Sequence, residues 1–178
     1  MDAAIALANE NIHILSQAEK LIEDLSDGLY TNNDIPPYQS GVGKHIRHVL
    51  DFYRAFLKPP EDITDYDDRD RSVGVETDRM QALEAIDRII GALGAIRNAD
   101  NQVQSKNDDG GHRPQAVAYS RSSIGRELQF LASHTVHHFA IIAFILVQQG
   151  YTPHPDFGVA ASTLVHWQKV GRPDATSS

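Results

Sequence analysis

The stretch SSIGRELQFLASHTVHHFAIIAFILVQQG, running from Ser122 to Gly150, decides the fold. Ser122 or Ser123 suits a helix N-cap, and Glu127 in the early turns complements the positive end of the helix dipole. Gly150 closes the pattern. In between, Phe130, Leu131, Val136, Phe139, Ile141, Ile142, Phe144, Ile145, Leu146 and Val147 place apolar side chains on most of the circumference. A helix like that is central, or is buried against a second subunit. Its longest unbroken apolar run, Phe139 to Val147, is too short to cross a bilayer.

Upstream, Ile5, Ala8, Ile12, Leu15, Ala18, Ile22 and Leu25 recur at steps of three and four, which predicts an amphipathic helix over residues 3–26. Asp27-Gly28 is expected to stop it, with Gly28 as a left-handed cap. Residues 29–40 carry Asn32-Asn33-Asp34 and Pro36-Pro37 and read as a loop. Ser40 is the expected cap of a second helix over residues 42–57, which Pro59-Pro60 ends. Val42, Val49, Phe52, Tyr53 and Phe56 form its apolar side. Residues 59–75, with Asp62, Asp65, Asp67, Asp68 and Asp70, read as an exposed acidic connector. A third helix is expected over residues 76–98, with Met80, Leu83, Ile86 or Asp87, Ile90, Leu93 and Ile96 or Arg97 as its buried stripe.

Residues 100–121 break the helical pattern. Asp109-Gly110-Gly111, flanked by Val103 and by Ala116-Val117-Ala118-Tyr119, suggests a loose hairpin or irregular excursion. After Gly150, a short helix over residues 161–170 could pack Leu164, Val165 and Trp167 onto the body, followed by a frayed tail over residues 171–178. Four helices of about 16 to 27 residues would be roughly 24 to 40 Å long. The expected architecture is all-α: a four-helix bundle forming a single domain over residues 1–170.

Composition narrows the function. Sixteen basic residues against twenty-four acidic ones give a formal charge of −8, so neither nucleic acid nor an anionic membrane is an expected partner. There is no cysteine, which excludes disulfides, thiolate catalysis and sulfur-ligated metal. Met1-Asp2-Ala3-Ala4 has no basic region ahead of an apolar run, so no signal peptide is expected and the expected location is the cytoplasm.

Five of the nine histidines fall in two short segments: His45 and His48, then His134, His137 and His138. Residues four apart on a helix lie one above the other, so His134 and His138 can aim two imidazoles at one point, the geometry of helical zinc sites. A third ligand would come from the neighbouring second helix, as His48 or His45. His137, roughly 60° from His134 around the helix, would face an interface or support a ligand from behind. Asp51 and Glu127 could orient a ligand imidazole, although a solvated surface acid or a helix-dipole partner is the simpler reading of each. Thr135 stands where a zinc protease carries its glutamate, which argues against that chemistry. Isolated His13, His112, His154 and His166 read as surface or tail residues. The plainest alternative leaves all the inward histidines hydrogen-bonded in a core, with no metal.

Ser40-Gly41-Val42-Gly43-Lys44-His45-Ile46-Arg47-His48-Val49-Leu50-Asp51 resembles the second-helix motif of the DinB-like superfamily, also called DinB/YfiT-like. Ser133-His134-Thr135-Val136-His137-His138-Phe139 resembles its fourth-helix motif, and Phe157-Gly158-Val159-Ala160-Ala161-Ser162-Thr163 is similar to a tail of one bacterial branch. The resemblance spans residues from about 40 to 165. It implies an up-down-down-up bundle, often a homodimer. It also implies a divalent transition metal on His48, His134 and His138, with His45 as the fallback on the second helix. Zinc is the first expectation, with nickel or iron as alternatives. Characterised relatives include metal-dependent hydrolases, and transferases and isomerases that use a low-molecular-weight thiol. Three imidazoles would leave a coordination position open for a small-molecule substrate. Tyr53, Ser133 and Tyr119 are candidate proton partners. The rival reading is a dimeric metal- or ligand-binding protein of a stress response, without turnover.

Overall fold

The computed structural model describes residues 3–36, 39–58, 60, 62–68, 72–106 and 119–172. Its elements are α1 (Ala3–Asp24), α2 (Asp27–Thr31), α3 (Val42–Leu57), β1 (Ile63–Asp65), α4 (Val73–Thr77), α5 (Arg79–Leu93), β2 (Gln102–Lys106), β3 (Ser120–Ser123), α6 (Ile124–Gln148) and α7 (Ala161–Val170). The chain is mostly helical. Of the four long helices, α1 packs on α5 and α6, and α3 packs on α5 and α6. Leu15 and Ile22 of α1, Ile46 and Leu50 of α3, Ile86 and Leu93 of α5, and Leu128, Leu131 and Phe139 of α6 meet in the core, all fully buried. Each such side chain contributes about 1.5–3 kcal/mol of apolar burial.

The observed boundaries differ from the sequence expectation where capping chemistry intervenes. Gly28 is not a left-handed cap, because among the described glycines only Gly150, Gly158 and Gly171 have positive φ. Instead the Ser26 hydroxyl accepts from the Leu29 N–H and starts α2, which Tyr30 anchors by donating from its phenol to the Val75 carbonyl at 2.7 Å. Ser40 is not the cap of α3 either. Gly41 occupies that position without a side-chain bond, and the Ser40 hydroxyl lies beside His45.

The third long helix is shorter than expected. Asp78 caps it, its carboxylate accepting from the Met80 and Gln81 N–H groups, so Glu76 falls in the separate turn α4. The buried stripe is Ala82, Ala85, Ile86, Ile89 and Leu93, while Met80 is 62% exposed.

The acidic connector is only partly solvated. Its β1 runs parallel to β2, which runs antiparallel to β3, so the strands form a three-stranded sheet in the order β1-β2-β3, with β1 against α3 and β3 against α6. Tyr66 behind β1 is fully buried. Lys106 neutralises part of the connector, its ammonium lying 2.6 Å from Asp67. Of the hairpin or irregular excursion expected over residues 100–121, Val103 lies in β2, which pairs antiparallel with β3, whereas Asp109-Gly110-Gly111, Ala116 to Ala118 and His112 lie outside the described residues, as do Asp70 and residues 173–178.

Ser123 does cap α6, accepting from the Arg126 N–H, and Gly150 at φ 80° follows its end. By length and composition α6 is long and apolar enough to cross a bilayer. Here its inner side packs on α1 and α3, and Phe144 and Val147 face outward. The C-terminal helix α7 forms as expected but buries no residue. Leu164 and Trp167 are half-buried and Val165 is exposed. Phe157, just before it, stacks on Phe139 with ring centroids 4.7 Å apart.

Candidate metal centre

Helical spacing delivers the histidines and the packing of α3 on α6 brings them together. His48 Nε2 lies 3.2 Å from His134 Nε2, and His45 Nδ1 lies 3.0 Å from His138 Nδ1. One nitrogen from each of His48, His134 and His138 falls within 4.8 Å of the other two. All three rings are half-buried. Two imidazoles on a tetrahedral zinc, at about 2.0–2.1 Å each, stand about 3.3 Å apart. The 3.2 Å separation of His48 and His134 therefore suits an ion as well as it suits a shared hydrogen bond. The donor set, three imidazoles without sulfur, fits zinc, nickel or iron.

Electrostatics favour the neutral, metal-binding form of the rings. Burial, with His134, His45 and His137 nearby, pulls His138 down to about 3. Burial and His137 also lower His45. Neither is charged at neutral pH, so neither needs to lose a proton to receive a cation.

Aromatic rings wall the cluster, and the sequence reading recognised them only as apolar positions. Phe52, one turn beyond His48, places its ring centroid 4.2 Å from that of His134 and 4.9 Å from that of His48. Phe130, one turn before His134, lies 5.7 Å from it. Tyr66 stacks on Phe52 at 5.0 Å. The spacing of four from each histidine was the available signal. Tyr66 could not be found that way, since it arrives from the β1 segment.

His137 is exposed, edge-on to His138 at 5.3 Å. Asp51 is 1% exposed and accepts from Arg47 at 2.9 Å and Arg54 at 3.5 Å, an ion-pair cluster between α3 helical turns. Glu127 is buried, not a surface acid. It accepts from the Tyr66 phenol at 2.7 Å and from the hydroxyls of Ser122 at 2.5 Å and Ser105 at 3.2 Å. Those partners come from β2, β3 and the residue after β1, which a reading of α6 alone could not supply. Burial first and the Glu127 carboxylate second push the Tyr66 phenol far up. Tyr53 donates to Asn11 at 2.7 Å and accepts from Thr135, so it is committed to the core. Tyr119 donates to Asp65, and Ser133 is exposed. His13, His154 and His166 are exposed as expected; His13 and His154 line one cleft together with Lys20 and Asp24.

The sequence profile of the DinB family matches residues 2–165. The chain belongs to the DinB family. The match extends the likeness seen in the two histidine motifs through α1 and into α7. A protein named FK506-binding protein 5, from Rhizopus delemar, is 36% identical over 110 residues, which are 60% of this chain and 28% of that protein. The chain therefore spans under a third of that relative's length. No solved structure matches.

Proposed function

We propose that this DinB-family chain binds one divalent transition metal, zinc in the first instance, through His48, His134 and His138. It would act on a small-molecule substrate as a metal-dependent hydrolase or a thiol-dependent transferase. The convergence of three imidazole nitrogens from α3 and α6 within 4.8 Å supports this reading. We further read the four long helices as an up-down-down-up bundle, with the site between its second and fourth members. When bound, such an ion supplies Lewis acidity and a coordination position for an oxygen or sulfur donor. The protein's own contribution is preorganisation. His138 is held neutral by burial. Phe52 and Phe130 shield His134 from solvent on two sides, which lowers the local dielectric and strengthens every charge interaction there.

Metal analysis of tag-free protein grown with added zinc, nickel and iron tests the proposal. About one equivalent is expected for the native chain, and His134→Ala should lose most of it. A metal content under about one-tenth equivalent in the native chain would leave only hydrogen-bonded histidines. A parallel screen of ester, amide and thiol-conjugation substrates separates turnover from binding, with His134→Ala as the control.

A further inference from the structure

His138 and His45 meet nitrogen to nitrogen, Nδ1 to Nδ1, at 3.0 Å. Two lone pairs at that distance repel, and two N–H groups collide, so with no ion between them one proton lies there. On its other side His45 places Nε2 at 3.3 Å from the Ser40 hydroxyl oxygen. The three groups form a chain from the metal site to the loop ahead of α3. That loop is pinned. The Gly41 N–H donates to Asn33 Oδ1 at 3.0 Å, and a Cβ on Gly41 would stand 2.0 Å from the Asn32 carbonyl oxygen. Lys44 closes the other flank, donating to the Gln39 carbonyl at 3.2 Å. Ser40, which leaves the N-cap of α3 unmade, is thereby delivered to His45.

Two proton arrangements satisfy the chain. In one, His138 Nδ1–H donates to His45 Nδ1, and His45 Nε2–H donates to Ser40. In the other both bonds reverse, and His138 carries its hydrogen on Nε2. Only the first leaves His138 Nε2 with a lone pair while Nδ1 is occupied. We propose that Ser40 and His45 form a positioning pair that holds His138 as its Nδ1–H tautomer, with Nε2 presented as the ligand atom to the ion shared with His48 and His134. This rests on the metal-site reading above and adds to it which nitrogen binds and what fixes it. Supporting groups that orient a ligand imidazole matter to metal affinity by about 10–100-fold.

Two measurements test it. Long-range proton–nitrogen correlation on the metal-free native chain at neutral pH should show His138 protonated on Nδ1 and His45 on Nε2. The reverse pattern overturns the proposal. The second is the cobalt and zinc affinity of the full chain by chelator competition. His45→Phe keeps a ring but removes the acceptor, and should weaken binding about 10–100-fold. His45→Asn keeps an oxygen acceptor near the Nδ1 position, and should stay within about threefold of native. Equal weakening by both variants would mark His45 as a ligand or a packing residue and overturn the proposal. If the native chain takes up neither ion, the metal-site reading falls by itself, and the tautomers still decide the Ser40–His45–His138 arrangement.

Discussion

Acidifying the metal-free chain should destabilise it through His138, and the size follows from its surroundings. Burial and the neighbouring imidazoles hold this ring at about 3 in the folded chain, against 6.5 for an ordinary histidine. Its folded value is depressed, so as pH falls below 6.5 the unfolded chain takes up a proton that the folded chain refuses. Stability is therefore full above that point, declines as the pH drops, and levels off near pH 3. At pH 5 the unfolded ring is nearly all protonated and the folded ring nearly all neutral, which costs about 2 kcal/mol relative to pH 8. Solvent reaching the half-buried ring trims this figure. The assay is urea unfolding at pH 8 and pH 5, followed by far-ultraviolet circular dichroism in the presence of a chelator. The native chain should lose about 1–2 kcal/mol more than His138→Gln across that interval. Parallel losses in the two proteins would refute the reasoning, because the neutral ring would then carry no linkage.

Other perturbations probe the framework. Tyr66→Phe removes a 2.7 Å donor from the buried Glu127 carboxylate and should cost about 1.5–3 kcal/mol in urea unfolding; a change below about 0.5 kcal/mol would mean that Ser105 and Ser122 suffice. Gly43→Ala would put a Cβ 2.1 Å from the Glu76 carbonyl oxygen, so α4 must shift away from α3, and the melting temperature should fall by several degrees. An unaltered melting curve would show that α4 yields freely. Ending the chain after Ala160 removes α7, which buries no residue, and should cost under about 1 kcal/mol; a larger loss would assign α7 a packing role beyond half-buried Leu164 and Trp167.

The four long helices were legible because each carries its apolar residues at helical spacing, and α3, expected over about residues 42–57, runs from Val42 to Leu57. Their ends were less so. Ser26, Ser40 and Asp78 are all good capping types, yet only Ser26 and Asp78 cap, since the Ser40 hydroxyl is engaged by a histidine five residues on. A local pattern cannot tell a capping hydroxyl from one drawn to a side chain. The sheet was half visible. A hairpin was expected between the third and fourth long helices, but β1 is three residues long and pairs with a strand some forty positions away. That pairing is also what buries Tyr66 and gives Glu127 its donors. The grouping of His48 with His134 and His138 was implied by the resemblance of the two motifs, whereas helical spacing alone left His45 and His48 both open. The place of His45 beside His138 could not be read, because its contacts depend on the loop before α3.

His48 and His134 stand 86 positions apart in the chain, on helices that meet only after folding. An ion seated between them would work as a reversible clasp on a protein that has no cysteine with which to make a permanent one. An unfolded chain scatters these donors, so such an ion would favour the native state by mass action, and by more at each higher free concentration. Metal supply would then set the lifetime of the native chain as well as its chemistry.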